Sequence, residues 1–367
     1  MRWDIFCHVV DNFGDIGVSW RLARQLATAG QHVRLWTDDD SALRWMAPRG
    51  APGVAVHRTL DPGPDFEPGD VVVSAFGSEI APAVIGAIGR VNQAGKEACR
   101  WVQLEYLSAE SYVATSHGLP SPVHGGAQAG IRKWFFFPGF TPDTGGLLRE
   151  PGLLDQRASF VRGAWLQARG IPCGGEMLAS MLCYEPAKLA AWLQGLGQRA
   201  SLPVRLLVTA GRATRAVQVA LAGLPAHWNP RGAVRFTFLD YLAQDEFDRL
   251  LWSCDCNFVR GEDSPVRSLW AGAAMVWQLY PQSDDAHRGK LLAFLDWLEA
   301  PPCLRAMHLA WNDLDDRAPF GPYGPSAGEL PQIDWDGWRG CIERARQRLL
   351  DQEDLVTRLL RFLREKR

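Results

Sequence analysis

This chain has no Cys-x-x-Cys pair, no long apolar run and no large surplus of either charge. Its eight cysteines are scattered, and the closest two, Cys254 and Cys256, have no further Cys or His at ligand spacing. That pattern argues against a metal site and for buried, reduced thiols in a cytosolic protein. No apolar stretch approaches the roughly 20 residues that span a bilayer. The opening MRWDIF has an acid at position 4 and no signal-type apolar segment, so a cytoplasmic protein without a membrane partner is expected. A formal net charge of −2 gives no basic surface for broad nucleic-acid binding. A Gly-x-Gly-x-x-Gly dinucleotide fingerprint and solenoid-type repeats are both absent.

What is present is an acidic turn. The apolar run Ile5 to Val10 reads as a buried parallel strand and Val18 to Ala29 as a helix. Between them lies Asp11-Asn12-Phe13-Gly14-Asp15-Ile16-Gly17, placed at the carboxyl edge of an α/β sheet, where such folds bind ligands. A helix start that holds phosphate usually offers bare N–H groups, whereas Asp15 would occupy that positive end itself. The turn therefore suits a cation, or a group that gives up a proton. Asp15 taken alone would be an ordinary helix cap; with Asp11 and the glycines beside it, a chemical role is the stronger reading.

At 367 residues, 47% hydrophobic and 22% charged, the chain fits two soluble domains. His32 to Trp36, Asp70 to Ala75 and Trp101 to Leu104 continue an alternation of strands and helices. Gly118 to Gly170, rich in Gly, Pro and aromatics, reads as extended packed loop. A second alternation follows, with strands at Met177 to Cys183, Val204 to Val208, Val234 to Leu239, Cys256 to Val259 and Ala274 to Leu279. Asp334 to Arg367 reads as helical, its basic end solvated. The expected architecture is α/β with two Rossmann-like domains facing across a cleft: residues 1–175 and 176–349, the helix at about 350–367 packing back on the first.

The second domain carries Arg260-Gly261-Glu262-Asp263-Ser264-Pro265-Val266-Arg267 after a short strand. Ser264 suits an N-cap and Pro265 the first helical position. The helix start, Arg260 and Arg267 would then form an anion site, with Glu262 or Asp263 accepting from ribose or sugar hydroxyls. Asp38-Asp39-Asp40 reads as a solvated turn capping the next helix. His8 reads as a core histidine and Phe135 to Phe137 as packing. His117 and His287 receive no assignment.

Four separated stretches, DNFGDIGV (11–18), LEYLSAE (104–110), FFFPGF (135–140) and RGEDS (260–264), carry a resemblance to the protein-arginine rhamnosyltransferase family of bacterial translation elongation factor P, the EarP family. The resemblance implies a GT-B fold and transfer of L-rhamnose from dTDP-β-L-rhamnose to one arginine of elongation factor P. It implies inversion, no metal or other cofactor, a monomer, and activation of the factor for ribosomes stalled at polyproline. It makes Asp15 the general base, Asp11 a second carboxylate near the acceptor arginine, and Glu262 indispensable. Asn12, Phe13, Gly14 and Asp15 would meet the donor. So would Tyr184, Tyr241, Gln244, Arg260, Gly261, Glu262, Asp263 and Ser264, with Tyr241 against the thymine. Ala243 and Pro265 depart from the family pattern without touching a charged position. The alternatives are a GT-B transferase with a non-protein acceptor, and a non-enzymatic nucleotide-sugar-binding module, for which the Asp11 and Asp15 pair would have no use.

Overall fold

A computed structural model describes residues 1–10, 13–94, 99–123, 131–172, 174–199, 202–281, 286–314 and 333–366. The chain divides into two compact units, one of residues 1–151 and 349–367, the other of residues 152–348.

The first unit is built on β1 (Arg2–Cys7), β2 (His32–Thr37), β3 (Val54–His57), β4 (Val71–Ala75), β5 (Arg100–Leu104), β6 (Pro120–Pro122) and β7 (Arg132–Phe136). Their order is β3-β2-β1-β4-β5-β7-β6, parallel throughout except for β6, which runs antiparallel to β7. Its helices are α1 (Gly14–Thr28), α2 (Leu43–Met46), α3 (Pro82–Gln93) and α4 (Ser111–Ser116). Helices on a parallel sheet bury both faces of its central strands, so all five residues of β4 are buried. The edge strand β6 begins and ends on proline, which cannot donate to a further strand.

The second unit holds α5 (Leu153–Ala158), α6 (Arg162–Ala168), β8 (Met177–Met181), α7 (Leu189–Arg199), β9 (Val204–Val208), α8 (Arg212–Ala222) and β10 (Val234–Phe238). It continues with α9 (Gln244–Ser253), β11 (Cys256–Arg260), α10 (Asp263–Ala271), β12 (Ala274–Gln278), α11 (Ala286–Leu298), α12 (Pro302–Trp311) and α13 (Trp335–Leu350). Its sheet is entirely parallel, in the order β10-β9-β8-β11-β12. After α13, the helix α14 (Leu355–Glu365) rejoins the first unit. Asp354 caps it by accepting from Val356 N (3.0 Å) and Thr357 N (3.2 Å). Its apolar stripe, Leu355, Val356, Leu359 and Leu363, enters the same core as Trp3, Ile5, Leu22 and Leu26.

Several expectations need correction. The opening strand is Arg2–Cys7, so His8 lies beyond it, half-exposed, with Nδ1 2.6 Å from Asp38 Oδ2. It is not a core histidine, and Asp38 is tied to the end of the first strand rather than merely solvated. Residues 118–170 are not all loop: Arg132–Phe136 is a strand of the sheet and α5 and α6 follow it. Residues 152–175 group with the second unit because Leu166 and Ile171 pack on Leu178, Leu207 and Leu250. Arg162 also bonds both oxygens of Asp255 there, at 3.0 Å each. The stretch from Asp334 is helical as expected, in two helices, Trp335–Leu350 and Leu355–Glu365. Seven described cysteines are free thiols, six of them buried. Burial pushes Cys183 and Cys99 up to about 12, which makes them inert. Cys173 lies outside the described residues. No described helix is long and apolar enough to cross a membrane.

Candidate functional site

In each sheet the order of the parallel strands reverses once, between β1 and β4 in the first unit and between β8 and β11 in the second. Loops leaving the carboxyl ends at such a reversal diverge and leave room for a ligand. The acidic turn leaves β1, Tyr184 follows β8, and Arg260 ends β11. Sequence motifs and topology thus coincide.

In the first unit Asp15 is the second residue of α1 and is 1% exposed. Its Oδ2 accepts from Val10 N at 3.0 Å. The carboxylate is therefore enclosed and oriented, not an open acid at the surface of the turn. The two residues before Val10 are pinned as well: His8 N donates to Ser78 Oγ (2.8 Å) and Val9 N to Asp38 Oδ1 (3.0 Å). Burial, with the Asp15 charge adding, pushes the Cys7 thiol up to about 12. Phe13 precedes α1 and packs edge-on against Trp45, with ring centroids 5.0 Å apart. Gly14 is the first residue of α1. Asp11 and Asn12 lie outside the described residues.

In the second unit α10 starts at Asp263, with Glu262 in the N-cap position. Ser264 is therefore one turn position inside the helix and is not its cap. Its Oγ accepts from Arg260 N (3.0 Å) and donates to Arg260 O (2.6 Å). The hydroxyl fixes the strand-to-helix turn. Gly261 sits in that turn at φ +67, a conformation that strains any residue with a Cβ. Arg267, expected at the anion site, is instead buried against both Asp248 oxygens, at 2.9 and 2.7 Å. Its charge is spent inside the unit, joining α10 to α9.

Arg260 is buried, and its guanidinium lies over the Tyr184 ring, 4.4 Å from the centroid. Arg212 lies over the same ring at 4.8 Å and bonds both oxygens of Glu185. Those Arg212 bonds hold the Glu185 carboxyl below its usual range. Tyr184 is itself buried, and Gln278 at the end of β12 accepts its backbone N–H at 2.8 Å. The tyrosine thus carries two cations rather than offering an open face. Tyr241 is an exposed aromatic of this unit, half-accessible, as Tyr280 is. Its hydroxyl lies 3.2 Å from where a Cβ on Gly211 would stand, and Gly211 has φ +87. Gln244 opens α9 and is buried.

Glu262 bonds Lys290 of α11, with Nζ 2.5 Å from Oε1. No motif marked Lys290, Arg212, Gln278 or Tyr280, whose ring meets Tyr184 edge-on at 5.5 Å. The unassigned histidines also find places. Nδ1 of His117 accepts from Phe137 N at 3.1 Å, and burial pushes this histidine down to about 4. His287 is buried at the start of α11. Among the described residues no group of three or more His, Cys, Asp or Glu is placed to hold a metal.

The chain is similar to known proteins over nearly its whole length. The model of the family described as elongation factor P (EF-P) rhamnosyltransferase EarP matches residues 3–364. A protein-arginine rhamnosyltransferase of Pseudomonas putida is 42% identical, over 99% of this chain and 98% of that protein. The structure solved as the basis for EarP-mediated arginine glycosylation of translation elongation factor EF-P superposes with a TM-score of 0.64. It is 32% identical, and the match covers 99% of each chain. The glycosyltransferase VinC, solved with dTDP, is only 13% identical and shares the fold, with a TM-score of 0.54 over 99% of each chain. Two parallel Rossmann-like sheets in a chain with these relatives make the fold GT-B. The chain belongs to the EarP family of elongation factor P rhamnosyltransferases, glycosyltransferases that act on arginine.

Proposed function

We propose that this chain moves L-rhamnose from dTDP-β-L-rhamnose to a guanidine nitrogen of one arginine of elongation factor P, inverting the sugar carbon without a metal. One observation carries the reading: the two order reversals bear opposite chemistry, an oriented carboxylate on one sheet and a helix start with buried arginine on the other. The relatives named above, one of them a structure of EF-P glycosylation, supply the substrates for which that contrast is suited.

A guanidinium keeps its proton until well above pH ~12, while a free aspartate titrates near ~4. Asp15 cannot deprotonate arginine beforehand. It can align the guanidinium by a charge-assisted hydrogen bond and take the proton as the carbon–nitrogen bond forms, when the attacking nitrogen turns acidic. The Val10 N–H fixes one carboxylate oxygen, so the base does not have to reorient during the step. Asp11 is assigned the same side of the arginine. The departing diphosphate gains charge as the glycosidic bond breaks, and the positive end of α10 together with Arg260 meets it. Tyr241 covers the thymine, and Glu262 receives hydroxyls. The enzyme acts as a monomer in the cytoplasm, where its acceptor works.

The test is to incubate the protein with dTDP-rhamnose and elongation factor P, then weigh the factor. A gain of one deoxyhexose is expected, unaffected by EDTA and absent when the acceptor arginine is replaced by lysine. Sugar transfer to a glycan or lipid but not to the factor would leave the GT-B fold standing and overturn the acceptor. Abolition by EDTA would overturn the metal-free step.

A further inference from the structure

We infer that Lys290 is a positioning residue of the donor site, acting through Glu262; this rests on the donor reading just given. Glu262 occupies the N-cap position of α10, yet its side chain makes no capping bond to that helix. A carboxylate there is drawn to the positive helix end, where it would compete with the diphosphate of a donor. Lys290 draws it off instead: Nζ lies 2.5 Å from Oε1, and the two side chains are only 17% and 15% exposed.

The lysine is itself held. Its Nζ lies 5.8 Å from the Trp277 ring centroid, and the Trp277 indole N–H donates to Gly261 O at 2.8 Å. Trp277 is 1% exposed. One buried indole therefore braces both the lysine and the turn from which Glu262 projects. The pair comes from α11 and from the start of α10, so its geometry depends on the packing of two elements and not on the motif alone. Lys290 holds the carboxylate off the helix end and aimed at donor hydroxyls. Removing it takes away the lysine that draws the mostly buried carboxylate aside and lets it swing onto the helix.

Binding of dTDP-rhamnose, measured by calorimetry without acceptor, tests this. Lys290→Met is expected to weaken binding about tenfold and to raise the donor KM more than it lowers kcat. Lys290→Arg should restore most of the loss. Glu262→Gln should weaken binding as well, and the double variant should be no worse than the poorer single one. Melting temperatures would show that each variant folds. Normal binding by Lys290→Met, or losses that simply add, would overturn the inference while leaving the donor site intact. Normal binding by Glu262→Gln would instead overturn the donor role of that turn.

Discussion

The turn after β1 and the turn after β11 use one device with different side chains. In each, the second residue of the following helix sends an oxygen back to a backbone N–H of the segment that leaves the strand: Asp15 to Val10, Ser264 to Arg260. Either bond fixes how the strand enters the helix. The difference lies in what the oxygen belongs to. A carboxylate at the positive helix end cancels that end and makes the turn anionic. A hydroxyl adds no charge to a helix start where Glu262 and Asp263 stand with Arg260 and Lys290 beside them. The same backbone solution thus carries a buried carboxylate in one unit and a hydroxyl beside a buried arginine in the other, the contrast on which the proposed function rests.

Breaking the contrast at the first turn should have the largest effect. Asp15→Asn keeps an oxygen for the Val10 N–H and removes only the charge. Transfer should fall by about two to four orders of magnitude, read by the mass of elongation factor P. Binding of dTDP should stay within a few fold by calorimetry; lost dTDP binding would contradict a role confined to the base. Next, Ser264→Asp imposes the first turn's chemistry on the second. It should weaken dTDP by about tenfold or more, with the deficit shrinking as salt is added. Equal dTDP affinity would mean that the start of α10 holds no anion.

A smaller effect is expected from Ser264→Ala, which removes the pin without adding charge. Stability should drop by about 1 kcal/mol in urea unfolding, with only a several-fold change in dTDP affinity. The smallest effect concerns pH and involves both units. His117 in the first and His308 in the second are each pushed down to about 4, chiefly by burial. A histidine in the unfolded chain titrates near ~6.5. Above that pH both states are neutral at these sites, and their contribution is constant. As pH falls from ~6.5 towards 4 the unfolded chain takes up protons that the folded chain refuses, so stability declines. Asn at position 117 can still accept from Phe137 N, so His117→Asn should flatten part of the decline in urea midpoints measured across that range.

Much of the fold was readable where strands are short apolar runs rich in β-branched residues, as in VVVSA and VRLLV. The strand Arg132–Phe136 was not, because RKWFF has two cations and no alternation and becomes a strand only by pairing with β5. At the site, RGEDSP was readable as a strand-to-helix turn, since glycine, acid and proline each have a local backbone reason to be there. The placement of its charges was not. Arg267 looks like a phosphate ligand in sequence, but the packing of α9 against α10 gives it Asp248. Tyr184 stands among the residues expected to meet the donor, and only the packing shows two arginines from other elements over its ring.

Local chemistry fixed the turns, the alternation of strands and helices, and the kinship, because each depends on residues near one another along the chain. Packing of distant elements decided which charges remain for substrates and which neutralise each other, since an ion pair needs two segments brought within a few ångströms. That is why Asp15 was found from its neighbours in sequence, while Lys290 became visible only beside Glu262.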